Sequence, residues 1–433
     1  MFEATLRSLE AAGTSIVNLW SARTEPLELF LRSARKGPLV LEHIGPFDLH
    51  IVSDPALAEQ ILQQPDVYTK DTRGERLLRA ALGIGLVTAQ GPVWRERRRL
   101  AQPAFRRPKL EVYAKVMEEE CEALAERWEA RGDEVFDVGH DMMQLTLKIA
   151  TRCLFDDDLD GEAETVDAAL QEILSCYLRM ATQPFARPER LPVGPAASYR
   201  RAVGVLHAVV ARLVARRRAK GSDGDDLLHL WLASDLDDDA IRDEVVTMLL
   251  AAHETTANLL TWAWTLLSRN PTALRRLQDE VASASSSDFL ARNGLPWTDA
   301  VVSETLRIYP PIWMTARSAA TDALIGDHAV RAGSTVAIPV YAMHHDNRHW
   351  PHPEGFDPQR WLSKDTSSGP FLPFGAGPRK CIGSHFAMLE ARIALAVLAK
   401  RFDVQLVPGQ SLAMLPSVTL RPADPILATL TSR

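Results

Sequence analysis

Cysteine is scarce in this sequence. Cys121, Cys153, Cys176 and Cys381 are the only four in 433 residues, and no two share a paired spacing. That excludes a disulfide framework and makes a reducing cytoplasm the expected compartment. An excess of positive charge is also missing. Lysine and arginine number 49 against 56 acidic residues, a net of -7. This argues against a general polyanion binder, so no nucleic-acid partner is expected. The N-terminal stretch MFEATLRSLEAAGTSIVNLW carries acidic residues and no long apolar run. It reads as neither a signal peptide nor a membrane anchor. Residues 247–267 have the length of a membrane span, but a polar patch from His253 to Asn258 interrupts them. A buried helix inside a large domain is the better reading. Internal repeats and long low-complexity tracts are absent too.

What is there is an ordinary globular composition, 46% hydrophobic and 24% charged, sufficient for a full core. Residues 37–52, two apolar runs around Gly45-Pro46, read as a hairpin. From 54 to about 161 the pattern is mainly helical, and 162–182 reads as another helix. Prolines at 184, 188, 192 and 195 then forbid a helix, so this loop is a linker or a lid over a pocket. A basic helix resumes over 199–220. SDLDDDAIRDEVV supplies capping acids for the next helix, which continues to Asn270-Pro271 and crosses the core. A shorter helix over 299–309 stops at Pro310-Pro311. Residues 322–340 read as a second hairpin region, and the chain after 401 as short strands. The fold class is mainly α with a minor β portion.

Residues 371–388, FLPFGAGPRKCIGSHFAM, place Cys381 between a glycine-rich bend and an apolar helical run. A helix start favours a thiolate, which is a nucleophile or a metal ligand. From the residues alone three readings stand. Cys381 is a buried small hydrophobe, a catalytic nucleophile beside Arg379 and Lys380, or half of a zinc pair with His385, four residues on. The histidines in HHDNRHWPH, His345 and His349 among them, form a second metal candidate or a polar loop.

The run Phe374-Gly375-Ala376-Gly377-Pro378-Arg379-Lys380-Cys381-Ile382-Gly383 closely resembles the haem-ligand loop of the cytochrome P-450 family. Further matches follow in the family's order. Glu304 and Arg307 in SETLRIYPP, with Arg360 in FDPQRW, are similar to its ExxR and second-arginine network, with Gln359 and Trp361 as departures. Trp94 and Arg98 in GPVWRERRRL resemble WxxxR, a pattern whose bland meaning is a solvated basic face. Ala251-Ala252-His253-Glu254-Thr255-Thr256 resembles the oxygen-side helix pattern, with Ala252 for the usual glycine.

The resemblance implies one domain over 1–433, with partly β-rich segments at about 37–90 and 320–433 and a helical core at about 91–310. A haem b would lie between a long central helix and the cysteine loop. Cys381 would be the axial ligand. Trp94, Arg98, Arg317 and Arg379 would hold the propionates, Phe374 would shield the sulfur, and Gly375 and Gly383 would permit the bend and a close approach to the macrocycle. Glu254 and Thr255 would manage proton delivery, the hydroxyl lying in a widened helix turn. Glu304, Arg307 and Arg360 would be structural. Position alone makes Met248, Leu249, Ala252, Ile312, Trp313, Met314, Thr315 and Met414 candidates for a mostly apolar substrate pocket. The implied activity is a monooxygenase, hydroxylating or epoxidising a small apolar molecule such as a terpene, fatty acid or other natural product. It would act as a monomer with O2 and with electrons from NAD(P)H through a ferredoxin reductase and an acidic ferredoxin, docking near Arg106, Arg107, Lys109 and Lys380. The rivals are a peroxide-driven peroxygenase or haem-thiolate isomerase, a haem gas sensor, and a cysteine hydrolase.

Overall fold

Gly45 turns the first hairpin, with φ of 57°, and pairs Leu39–Ile44 with Phe47–Val52 in antiparallel register. The computed structural model describes residues 15, 17–45, 47–181, 194–221, 224–291, 294–362 and 369–433. The loop with prolines at 184, 188 and 192 lies outside them. Pro195 is not part of that loop: it opens the helix Pro195–Lys220, a first-turn position where its missing N–H costs nothing.

The hairpin belongs to a five-stranded sheet in the order Leu39–Ile44, Phe47–Val52, Thr335–Ile338, Thr315–Ala319, Tyr68–Thr69. Thr335–Ile338 runs parallel to Phe47–Val52, joining distant parts of the chain. Ala323–Ile325 and His328–Val330 form the second hairpin by themselves. The segment 37–90 is less β-rich than expected. It holds the helices Pro55–Leu62 and Arg73–Leu82, each begun by a side-chain cap, Asp54 on Leu57 N–H and Thr72 on Glu75 N–H. Such caps satisfy amides that helices leave open.

The main core joins the helices, with Trp128, Trp231 and Trp264 wholly buried. A second apolar cluster packs on the five-stranded sheet. Through the main core runs the helix Asp238–Arg269, opened by Asp237 capping Ala240. At 32 residues it is about 48 Å long. Among the described residues, no helix is long and apolar enough to cross a membrane. The helices Pro296–Ile308 and Ser384–Arg401 pack beside it.

The histidine-rich stretch is a polar loop from Asp346 onward, with Asn347, Arg348 and His352 exposed, but it begins inside the protein. His344 ends a short helix, Val340–His344, and both His344 and His345 are buried. His344 Nδ1 meets the Arg307 carbonyl at 3.1 Å, and its Nε2 accepts from Leu372 N–H at 3.0 Å. Burial pushes its pKa down to about 3, so the ring is a neutral strut.

Candidate active site

Two glycines shape the thiol loop. Gly375 and Gly377 have φ of 66° and 69°, a region that side chains with a Cβ avoid. At 377 space is closed as well, since a Cβ would stand 2.2 Å from the Leu62 carbonyl oxygen. The bend lets Cys381 N–H donate to the Phe374 carbonyl at 2.9 Å. Gly383 meets no such constraint from the protein itself. A Cβ there would sit 3.7 Å from Phe105 and 4.0 Å from Cys381 Sγ, ordinary contacts, so no neighbouring protein atom demands glycine.

Cys381 precedes the helix Ser384–Arg401. It therefore does not share a helix face with His385, which removes the geometric basis of a zinc pair. No group of three or more metal-ligating side chains occurs among the described residues. Cys121, Cys153 and Cys176 are buried, whereas Cys381 is exposed. Its sulfur lies in a recess, reachable yet surrounded by enough protein for burial to dominate. Burial pushes the thiol pKa up, while the Gly383 N–H, Arg98 and Lys380 pull it down.

Cations gather around this loop. Arg98 Nη1 donates to the Lys380 carbonyl at 2.8 Å. Arg379 Nη2 donates to the Ala89 carbonyl at 2.6 Å, with its guanidinium 4.5 Å over the Trp94 ring. Trp94 is buried, so this helix is not merely a solvated basic face. Among the described residues Arg317, 6% exposed, donates only to Thr315 Oγ1 and the Ala316 carbonyl, both at 2.8 Å. Lys70 was not singled out in the sequence, yet it joins the group. Burial lowers the pKa of Lys70, Arg317 and Arg379, and Arg317 lowers Lys70 and Arg379 further, Arg379 reaching about 10. The main counter-charge is Glu75, 2.9 Å from Lys70, with Asp66 acting on Arg379. Buried positive charge therefore exceeds nearby carboxylate. Such an imbalance suits an anionic ligand. A macrocycle carrying two carboxylates and an iron that takes one thiolate fits this donor set.

On the central helix, Ala251, Ala252 and Thr255 are only half-buried while their neighbours are buried, so one helix face opens there. Thr255 Oγ1 donates to the Ala251 carbonyl at 2.8 Å. The helix is unbroken α, and the expected widened turn is not present. The hydroxyl is held instead by the carbonyl one turn back. Glu254 is buried, with Oε1 accepting from Thr419 Oγ1 at 2.7 Å and Oε2 unpartnered. Burial, assisted by Asp167, pushes its pKa up to about 7 against the pull of Thr419, Arg421 and Asn258.

Among the pocket candidates, Ala252, Ile312, Met314, Thr315 and Met414 keep some exposure, whereas Met248, Leu249 and Trp313 are buried. Trp313 is tied to the Ser417 carbonyl at 2.9 Å and stands edge-on to Phe30. Glu304, Arg307 and Arg360 come together away from these groups. Arg307 makes two bonds to Glu304, at 3.0 and 2.8 Å, and Arg360 Nε donates to Glu304 at 3.1 Å. Trp361 Nε1 at 2.9 Å and the Asp357 N–H at 3.1 Å also donate to Glu304. The Lys70–Glu75 pair and the Glu254 partners Thr419 and Arg421 carry no local sequence signal. A spacing pattern cannot report a contact across 165 residues.

Comparison with known proteins agrees with this geometry. The family described as Cytochrome P450 matches over residues 14–429. Cyclooctatin synthase of Streptomyces melanosporofaciens is 35% identical over 411 residues, covering 92% of this chain and 89% of that protein. Pentalenene oxygenase of Streptomyces avermitilis is 32% identical over 402 residues, covering 90% and 89%. A crystal structure of a cytochrome P450 superposes with a TM-score of 0.81 at 25% identity, covering 94% of each chain.

Proposed function

The chain belongs to the cytochrome P450 family and is a monooxygenase acting on an organic substrate with O2; from that premise we propose that the substrate is a terpene and that the electrons come from a ferredoxin. We read 1–433 as one monomeric, cytoplasmic domain. The observation that carries the cofactor assignment is the surplus of buried cations beside Cys381.

Haem b fits there: Cys381 would hold the iron through its thiolate, and Arg98, Arg317 and Arg379 would hold its carboxylates. Trp94 packs against Arg379, and Lys70 completes the cradle. Phe374 shields the sulfur at the bend formed by Gly375 and Gly377. When bound, the haem supplies O2 activation and oxygen transfer. The chain contributes binding, exclusion of water and proton supply. Glu254, poised near neutrality, can take up and release a proton at working pH. The Thr255 hydroxyl, fixed on the Ala251 carbonyl, presents its oxygen at the open helix face. Ala252, Ile312, Met314, Thr315 and Met414 offer mostly apolar surface, which orients a hydrocarbon by shape more than by hydrogen bonds.

The terpene reading rests on that apolar lining and on relatives named for cyclooctatin and pentalenene. Its test is a reaction reconstituted with ferredoxin, reductase and NAD(P)H under 18O2. Cyclic terpenes and fatty acids are offered as substrates. The expected result is one labelled oxygen atom in a terpene product. Turnover of fatty acids alone, or unlabelled product, would overturn it.

A further inference from the structure

Glu254 lies deep in the protein, so its proton must arrive from somewhere. Around it are buried polar atoms that the fold leaves without hydrogen-bond partners. Among the described residues they are Glu254 Oε2, His253 Nε2 and Arg421 Nε, while His253 also interacts with the Met143 backbone. These atoms share one neighbourhood. His253 Nε2 stands 3.8 Å from Asp167 Oδ1. Gln171 Nε2 reaches the same oxygen at 3.5 Å, and Arg421 Nη1 donates to Gln171 Oε1. Arg421 lies in the strand Leu420–Pro422 and Thr419 immediately before it, and Thr419 donates to Glu254. Asn258 donates to Thr419 at 3.4 Å. The side chain of His253 is fully buried, while that of Asp167 is 18% exposed. The cluster thus has a closed end at Glu254 and one end at solvent. Orphaned polar atoms gathered in a buried cluster are where ordered water binds.

We propose that Asp167 is the solvent-side entrance of a water-filled proton path to Glu254, running between the helix Ala163–Ala181 and the strand Leu420–Pro422, with His253 and Arg421 holding the water. Asp167 is a positioning residue, since it reaches the reacting atoms only through Glu254. The step is a proton transfer alone. Solvent protonates Asp167, the water chain passes the proton to the Glu254 carboxylate, and Asp167 is left ionised. This rests on the reading of Glu254 as proton donor.

The groups facing Glu254 are Asn258 on its own helix, Asp167 on the helix Ala163–Ala181, and Thr419 and Arg421 from the strand region. Of these, Asp167 and Arg421 are charged, and they act in opposite senses. The experiment is an infrared pH titration of the resting holoenzyme, following the protonated-carboxyl band that Glu254→Gln removes. Asp167→Asn removes a negative neighbour, so the Glu254 band should titrate lower by on the order of one pH unit. The His253 ring, followed by NMR, should become harder to protonate. In turnover the same variant should show a larger solvent hydrogen isotope effect, with Asp167→Glu restoring the original behaviour. An unmoved Glu254 band in Asp167→Asn would overturn the path. If Glu254→Gln leaves the isotope effect and pH profile of turnover intact, the donor role of Glu254 itself falls, a separate result.

Discussion

Thr255 and Glu254 are adjacent in sequence and held in unlike ways, so their loss should have unlike effects. Among the described residues the Thr255 hydroxyl is tied only to the Ala251 carbonyl. Thr255→Ala should leave folding and haem content unchanged. The product formed per NAD(P)H oxidised should fall by about tenfold, with hydrogen peroxide rising to match. Measuring all three in one reaction checks it, and full coupling would exclude the hydroxyl from proton management. Glu254 makes a stability prediction instead. Its pKa is raised from 4.5 to about 7 by burial. The folded state therefore holds a proton that the unfolded chain releases at lower pH. Stability is fully present below about 4.5 and declines as pH rises through about 7, by on the order of 3 kcal/mol for one such group. Glu244 is raised to about 7 by burial in the same way. Glu254→Gln should remove one of these two contributions. Urea unfolding at several pH values would show a shallower decline; an unchanged decline would mean the carboxyl is not buried as described.

At the scale of elements, the Glu304 network fastens the helix Pro296–Ile308 to the segment around 353–361. Arg307 donates to the carbonyls of His344, Pro353 and Gly355 as well as to Glu304. It is fully buried, so removing its partner strands a charge. Glu304→Ala should cost about 3–5 kcal/mol and lower the yield of folded haem protein. Arg307→Lys keeps the charge but loses the planar fork and should also destabilise, by a smaller amount. Urea midpoints test both. Elements were largely legible from the sequence. Gly45, the Asp237 cap and the Pro310-Pro311 stop are local signals, and each lies where such signals place a turn, a start and an end. Burial was less legible. His344 and His345 look polar in sequence and lie inside; Arg307 and Leu372, distant in the chain, supply the partners of His344, and the Tyr341 carbonyl supplies that of His345. The cysteine loop was readable because its glycines are demanded locally, two of them by positive φ. Lys70, Asp167 and Arg421 were not, since tertiary contacts alone bring them to the site.

At the scale of the whole molecule, a net charge of -7 surrounds a small basic face near the thiol loop. That face is narrower than the sequence suggests. Lys109 pairs with Asp225, and Arg107 stands 3.3 Å from Glu111. Arg106 and Lys380 are exposed and make no ion pair among the described residues. An acidic ferredoxin would therefore meet Arg106 and Lys380 first. Electron transfer should slow as salt rises, because exposed charges are screened within about 10 Å at 0.1 M. Lys380→Glu should slow it several-fold at low salt and flatten the salt dependence. Stopped-flow reduction with a surrogate ferredoxin measures both, and a rate indifferent to salt and to this substitution would dismiss the docking face. The central claim, that Cys381 is the axial thiolate of a haem, is tested by the ferrous carbonyl spectrum of the purified protein. The prediction is a strongly red-shifted Soret band that disappears in Cys381→Ser; a band of that kind surviving in Cys381→Ser, or absent from haem-loaded native protein, would contradict it.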